Sequence, residues 1–210
     1  MQNATIGKGS CNGGGEDSKH GNNHGNSCSE MQNATIGNGS CNGAGESCAE
    51  VQNSIIGKGS CQGDATCEDV QNSIIGKGSC NGDPDHMWDA LSCYSVKNST
   101  IHDGSCRGYH SCIAVKNSLI GKGSCNGGSG NSVGSNPYGY NTGYGQSCAF
   151  SENITIGNNC CNGVESGNTD VCYKCKHNVP DNACNLGITA DITDGYCTYC
   201  GENPFPPNKK

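Results

Sequence analysis

Large apolar side chains are scarce in this chain. Only 32 % of its 210 residues are hydrophobic, and the aromatics amount to one tryptophan, eight tyrosines and two phenylalanines. A globular domain of this length normally carries a larger apolar fraction, so a single thick core is excluded. No apolar run approaches the ~18–20 residues that cross a bilayer as a helix, so no membrane span is expected. Positive charge is short as well. Twelve Lys and Arg against 19 Asp and Glu leave a net charge of −7, with no basic footprint for nucleic acid. Ser-His-Asp constellations, nucleotide-binding loops and paired-acid motifs are missing too, so the expectation is a protein that is not an enzyme and carries no cofactor. Low hydrophobicity also accompanies disorder, but the phasing described next argues against it.

Cysteine (19 copies) and glycine (34 copies) are abundant. Cys28 to Cys41, Cys48 to Cys61, Cys67 to Cys80, Cys93 to Cys106, Cys112 to Cys125 and Cys148 to Cys161 are each 13 positions apart. The alternate intervals vary, from 6 (Cys61 to Cys67) to 23 (Cys125 to Cys148). A rigid segment thus alternates with an elastic one, the mark of stacked coils that tolerate insertions at one corner. The rigid segment occurs seven times, starting near residues 1, 31, 51, 70, 96, 115 and 151; its first copy reads MQNATIGKGSC and its last SENITIGNNCC. The shortest repeat, 19 residues, is about one β-solenoid turn and buries its apolar face only against neighbours. The expected fold is all-β: a single-stack parallel β-solenoid, of either hand, over 1–161. Its loop insertions are stapled by disulfides.

Position one of the segment is apolar except at Ser151, and position six is always isoleucine. Position three is Asn throughout: Asn3, Asn33, Asn53, Asn72, Asn98, Asn117 and Asn153. Side chains two apart on a strand share a face, so an inward residue one predicts an inward Asn ladder, with each amide bonding the next at the ~4.8 Å coil spacing. Asn3, Asn33, Asn98 and Asn153 also read as glycosylation acceptors, with Thr two residues on. Because the Asn persists where the Thr does not, laddering is the preferred reading. Asn38, in Asn-Gly-Ser, is a fifth sequon on a turn.

So many cysteines in register imply an oxidising compartment, extracellular or cell-surface. Pairing within each repeat (Cys11 with Cys28, Cys41 with Cys48, Cys61 with Cys67, Cys80 with Cys93, Cys106 with Cys112, Cys125 with Cys148) explains why insertions stay between partners. Pairing along the axis is the alternative. For the seventh repeat the thirteen-residue rule favours Cys161–Cys184 over Cys161–Cys172, because Cys184 to Cys197 is again 13. That rule makes 162–210 a Cys-rich segment holding a degraded eighth coil and cap, with Ile192 in the isoleucine row. Cys172-x-x-Cys175 and Cys197-x-x-Cys200 have a zinc-ribbon spacing, but beside so many presumed disulfides no metal is expected. His20 and His24 lie in a Gly/Asn-rich stretch without acidic partners and are read as solvated loop. Trp88 is read as covering a flank of the solenoid, and the Tyr138, Tyr140 and Tyr144 tract as an exposed loop.

The IGxGSCNG core with a second Cys six residues on resembles the cysteine-rich IGxxSCNG repeats of surface and secreted proteins from stramenopile algae and related protists. The resemblance covers about 1–161 and implies an extracellular repeat protein; it carries no catalytic residues. Ile-Gly-x-Gly-Ser also looks like the hexapeptide motif of left-handed β-helices, although thirteen plus six residues do not divide into three hexads.

Met1 occupies a repeat position, which predicts a chain that begins inside a longer or processed polypeptide. The functional expectation is a structural protomer of a filament, flagellar hair or coat, with copies of itself as partners. The alternative is a module binding glycans or ice through its outer rows.

Overall fold

The computed structural model describes residues 3–12, 27–43, 47–63, 66–82, 92–108, 111–127, 147–162, 172, 178–179 and 181–182. They form a parallel β-solenoid. Seven two-residue strands, β1 (Thr5–Ile6), β2 (Thr35–Ile36), β3 (Ile55–Ile56), β4 (Ile74–Ile75), β5 (Thr100–Ile101), β6 (Leu119–Ile120) and β7 (Thr155–Ile156), make one sheet in chain order. Every pair is parallel and in register, Ile on Ile. Parallel bridges through Gln32, Gln52, Gln71, Lys97, Lys116 and Glu152 form a second column beside it.

The strands are short because the backbone turns left-handed on both sides of them. Asn3, Asn33, Asn53, Asn72, Asn98, Asn117 and Asn153 all have φ between 40° and 57°. Asn is among the few non-glycine residues that tolerate this region. The kink resets the inward phase, so residues one, four and six of each repeat face inward. Residue three faces solvent, and the expectation of a buried Asn ladder is overturned: every one of these asparagines is exposed. Asn33 Nδ2 does donate to Asn53 Oδ1 at 3.3 Å, across the outer surface.

The interior is narrow. Met31, Val51, Val70, Val96 and Val115 stack in one buried row, and Ile36, Ile56, Ile75, Ile101, Ile120 and Ile156 in another. Serines complete it. Ser40, Ser60, Ser79, Ser105 and Ser124 are fully buried, and they are joined into a hydroxyl column. Ser60 Oγ donates to the Gly76 carbonyl at 2.6 Å and accepts the Ser79 N–H at 3.3 Å; Ser79 Oγ donates to His102 at 2.8 Å and accepts from Ser105 at 3.2 Å. A second column runs through Ser54, Ser73, Ser99 and Ser118, each hydroxyl accepting the next coil's N–H. Buried hydroxyls are tolerated only with partners, and the next coil supplies them.

Residue seven of the repeat marks where coils approach most closely. A Cβ on Gly57 would lie 2.7 Å from the Gly76 carbonyl carbon. Gly7, Gly37, Gly57, Gly76, Gly121 and Gly157 each donate to the next coil at 2.7 Å. His102, the one side chain in the row, donates at 3.0 Å: the corner opens to admit its Cβ.

Candidate functional site

Seven disulfides tie off the loops: Cys11–Cys28, Cys41–Cys48, Cys61–Cys67, Cys80–Cys93, Cys106–Cys112, Cys125–Cys148 and Cys161–Cys172. All run within a repeat. The preference for Cys161–Cys184 is overturned. Val179 bridges Ile156 and so holds the isoleucine place of an eighth coil. Cys184 follows Val179 by five residues, as Cys161 follows Ile156, which makes it in sequence the counterpart of Cys161 and not its partner. The conserved interval is five residues from Ile to Cys. The thirteen-residue interval shrinks to twelve between Cys172 and Cys184. Val179 therefore follows Ile156 in the row.

All fourteen bridged cysteines have φ between 54° and 60°. A left-handed L-residue costs about 1–2 kcal/mol, and two features hold these in place: the bridge itself and axial hydrogen bonds such as Cys61 N–H to Ser79 and Cys67 N–H to Ser92, both 3.1 Å. Sulfurs of successive coils stack. Those of Cys48, Cys61 and Cys67 lie within 4.8 Å of one another, as do Cys93, Cys106, Cys112 and Cys148, Cys161, Cys172. All nine are oxidised, and a metal ligand must be a thiolate, so these triplets are a disulfide column.

Cys160 replaces serine in the hydroxyl column, is buried, and donates through Sγ to the Asn158 carbonyl at 3.2 Å. Cys175, Cys184, Cys197, Cys200, Ile192, His20, His24, Trp88, Tyr138, Tyr140 and Tyr144 lie outside the described residues.

Two surfaces are available for recognition. One is the lateral face. Thr35, Ile55, Ile74, Leu119 and Thr155 project outward from the sheet beside the asparagine row. Position eight carries Lys58, Lys77 and Lys122 interleaved with Asn38, Asp103 and Asn158, whose side-chain oxygens accept the preceding coil's N–H. Among the described residues one ion pair crosses coils: Lys97 Nζ lies 2.7 Å from Asp69, which also accepts from Gln71 and Ser95. Burial pushes the Asp69 carboxyl up, but these bonds and the lysine charge outweigh it and hold it below its ordinary range.

The other surface is the end of the stack. Ile6 is 40 % exposed, whereas its equivalents in coils two to seven are at most 2 % exposed. In each later coil the carbonyls of residues four, six and ten accept from the coil before, as Ala34, Ile36 and Ser40 do from Thr5, Gly7 and Cys11. Among the described residues nothing bonds the equivalent carbonyls of Ala4, Ile6 and Ser10. The residue after Val179 is Pro180, which has no N–H to donate where each position-seven glycine does.

No helix among the described residues is long and apolar enough to cross a membrane. No family model matches the chain, nor does any curated protein or solved structure.

Proposed function

We propose that the chain is a structural extracellular protein, the protomer of a cell-surface filament, flagellar hair or coat, assembling head to tail. What supports this most is the way coils meet: each covers its neighbour's isoleucine and presents the carbonyls of residues four, six and ten as acceptors in one register, so one coil face is complementary to another. Such a face is a template for strand addition, and joining two unlike ends gives an open filament unless rotation closes a ring. The junction in this reading brings the Cys-rich C-terminal segment 162–210 onto coil one of the next copy. The disulfide column suits an oxidising exterior, where such bonds persist.

A second reading is supported by Ile55, Ile74 and Leu119, which are exposed on the lateral face: this strip would bind glycan or ice. The two readings separate in one experiment. The oxidised full chain is followed by sedimentation velocity and negative-stain microscopy as its concentration rises. Filaments that disappear in Ile6→Asp but persist in Ile55→Ala support end-on assembly. A chain that stays monomeric at high concentration, or filaments indifferent to Ile6, would overturn it.

A further inference from the structure

The exposure of the asparagine row changes what its sequons mean. An inward Asn could carry no sugar, and its persistence would need no other cause. The φ values supply a different cause for that persistence: the left-handed kink suits Asn, whatever follows it. The kink leaves unexplained why Thr stands two residues on in four of the seven copies (Thr5, Thr35, Thr100, Thr155), with Ile or Leu in the rest. Thr5, Thr35 and Thr155 are exposed, Thr100 is partly so, and no hydrogen bond of their hydroxyls is seen among the described residues. Ile55 and Ile74 occupy the same register without disturbing the sheet. Packing therefore does not distinguish Thr from Ile here, whereas the Asn-x-Thr acceptor does.

We infer that Asn3, Asn33, Asn98 and Asn153 are N-glycan attachment sites and that Asn38 is not. The donor is an oligosaccharide on a lipid pyrophosphate. The bond from Asn Nδ2 to the sugar C1 forms as the C1–oxygen bond to the pyrophosphate breaks, and the amide nitrogen gives up one proton. Nδ2 keeps its second hydrogen, so the bond from Asn33 to Asn53 survives attachment. Asn38 differs in the hydroxyl residue of its sequon. Ser40 is fully buried, donates to Gly57 at 2.7 Å and accepts from Ser60 at 3.3 Å. The sites fall on coils one, two, five and seven of one edge, so the glycans would line one side of the rod.

The full chain, secreted from a eukaryotic host, is treated with an amidase that removes N-glycans in heavy-oxygen water, and the resulting labelled aspartates are mapped by mass spectrometry. Label is expected at positions 33, 98 and 153, with position 3 sharing the same motif, and none at Asn38, Asn53, Asn72 or Asn117. Thr35→Ile should abolish label at position 33. Ile55→Thr should create it at position 53, a gain that no folding defect can mimic. A secreted chain without label, or label at Asn38 in place of the row, overturns the proposal.

Discussion

Gly57→Ala tests the closest contact in the stack. Gly57 does not have a positive φ, so alanine fits the backbone and, without hindrance, would stabilise by about 0.4–1 kcal/mol through the unfolded chain. Its Cβ, however, would meet Gly76 and Lys77 main-chain atoms at 2.7 Å, where ordinary contact begins at 3.4 Å. Relieving this opens the corner by roughly 0.7 Å, the difference between the two. The Gly57-to-Ile75 hydrogen bond, now 2.7 Å, would stretch to about 3.4 Å, beyond the normal N–H···O range of ~2.7–3.2 Å. Ser60 to Gly76 and Gly78 to Lys58 flank the same contact. Weakening three bonds of about 1 kcal/mol each, less the alanine gain, leaves a net loss of about 2 kcal/mol, or about 30-fold in local opening. His102 shows the same displacement on a smaller scale, with its bond lengthened to 3.0 Å. Coils interact only with their neighbours, so a single global transition is the wrong readout. Amide hydrogen exchange by NMR should show residues 55–60 and 74–79 exchanging faster and coils six and seven unchanged. Exchange that is unchanged or slower in the variant would mean the coils are not in contact there.

Ser79→Ala should cost about 2 kcal/mol, because it leaves the buried Ser105 N–H and His102 carbonyl without their partner; denaturant-dependent exchange of coils four and five measures it. The Asp69 carboxyl is held below its ordinary range when folded. Its contribution is therefore complete above that range and is lost as pH falls through the lower folded value. Protection factors in coils three to five, measured from neutral to strongly acid pH and corrected for the intrinsic exchange rate, should fall across that window in the native chain, and Asp69→Asn should remove the step.

The repeats disclosed the coil boundaries, the isoleucine column and its register, because each copy of the Ile-Gly-x-Gly-Ser-Cys segment after the first ends thirteen residues after the preceding cysteine while the repeats themselves vary in length. The asparagine row was misread for an identifiable reason. Period-two alternation holds along a continuous strand, and these strands are two residues long, interrupted by a left-handed residue that shifts the phase. The signal was available at position four, which is Ala or Ser in six copies and Ile154 in the seventh; Ala34, Ser54, Ser73, Ser99, Ser118 and Ile154 are all buried. Ser40 and its equivalents were hidden for another reason. Serine beside glycine reads as a turn, and nothing local indicates that its hydroxyl is met by a coil 16 to 33 residues away. The seventh bridge failed because an interval sound for six repeats was carried past the point where the chain drops one residue.

The within-repeat bridges also decide how the molecule would bear load. Under axial tension the force runs from each second half-cystine along the rigid segment to the next first half-cystine, then across the sulfur–sulfur bond. The variable loop is bypassed. A coil with its cysteines 6 apart and one with its cysteines 23 apart thus pay out the same thirteen-residue length, about 45 Å at ~3.3–3.6 Å per residue. Loops can differ in length and chemistry without changing the rod's extensibility. Reduction ends that equality: the 125–148 loop would then enter the force path and make its coil the most extensible link in the stack.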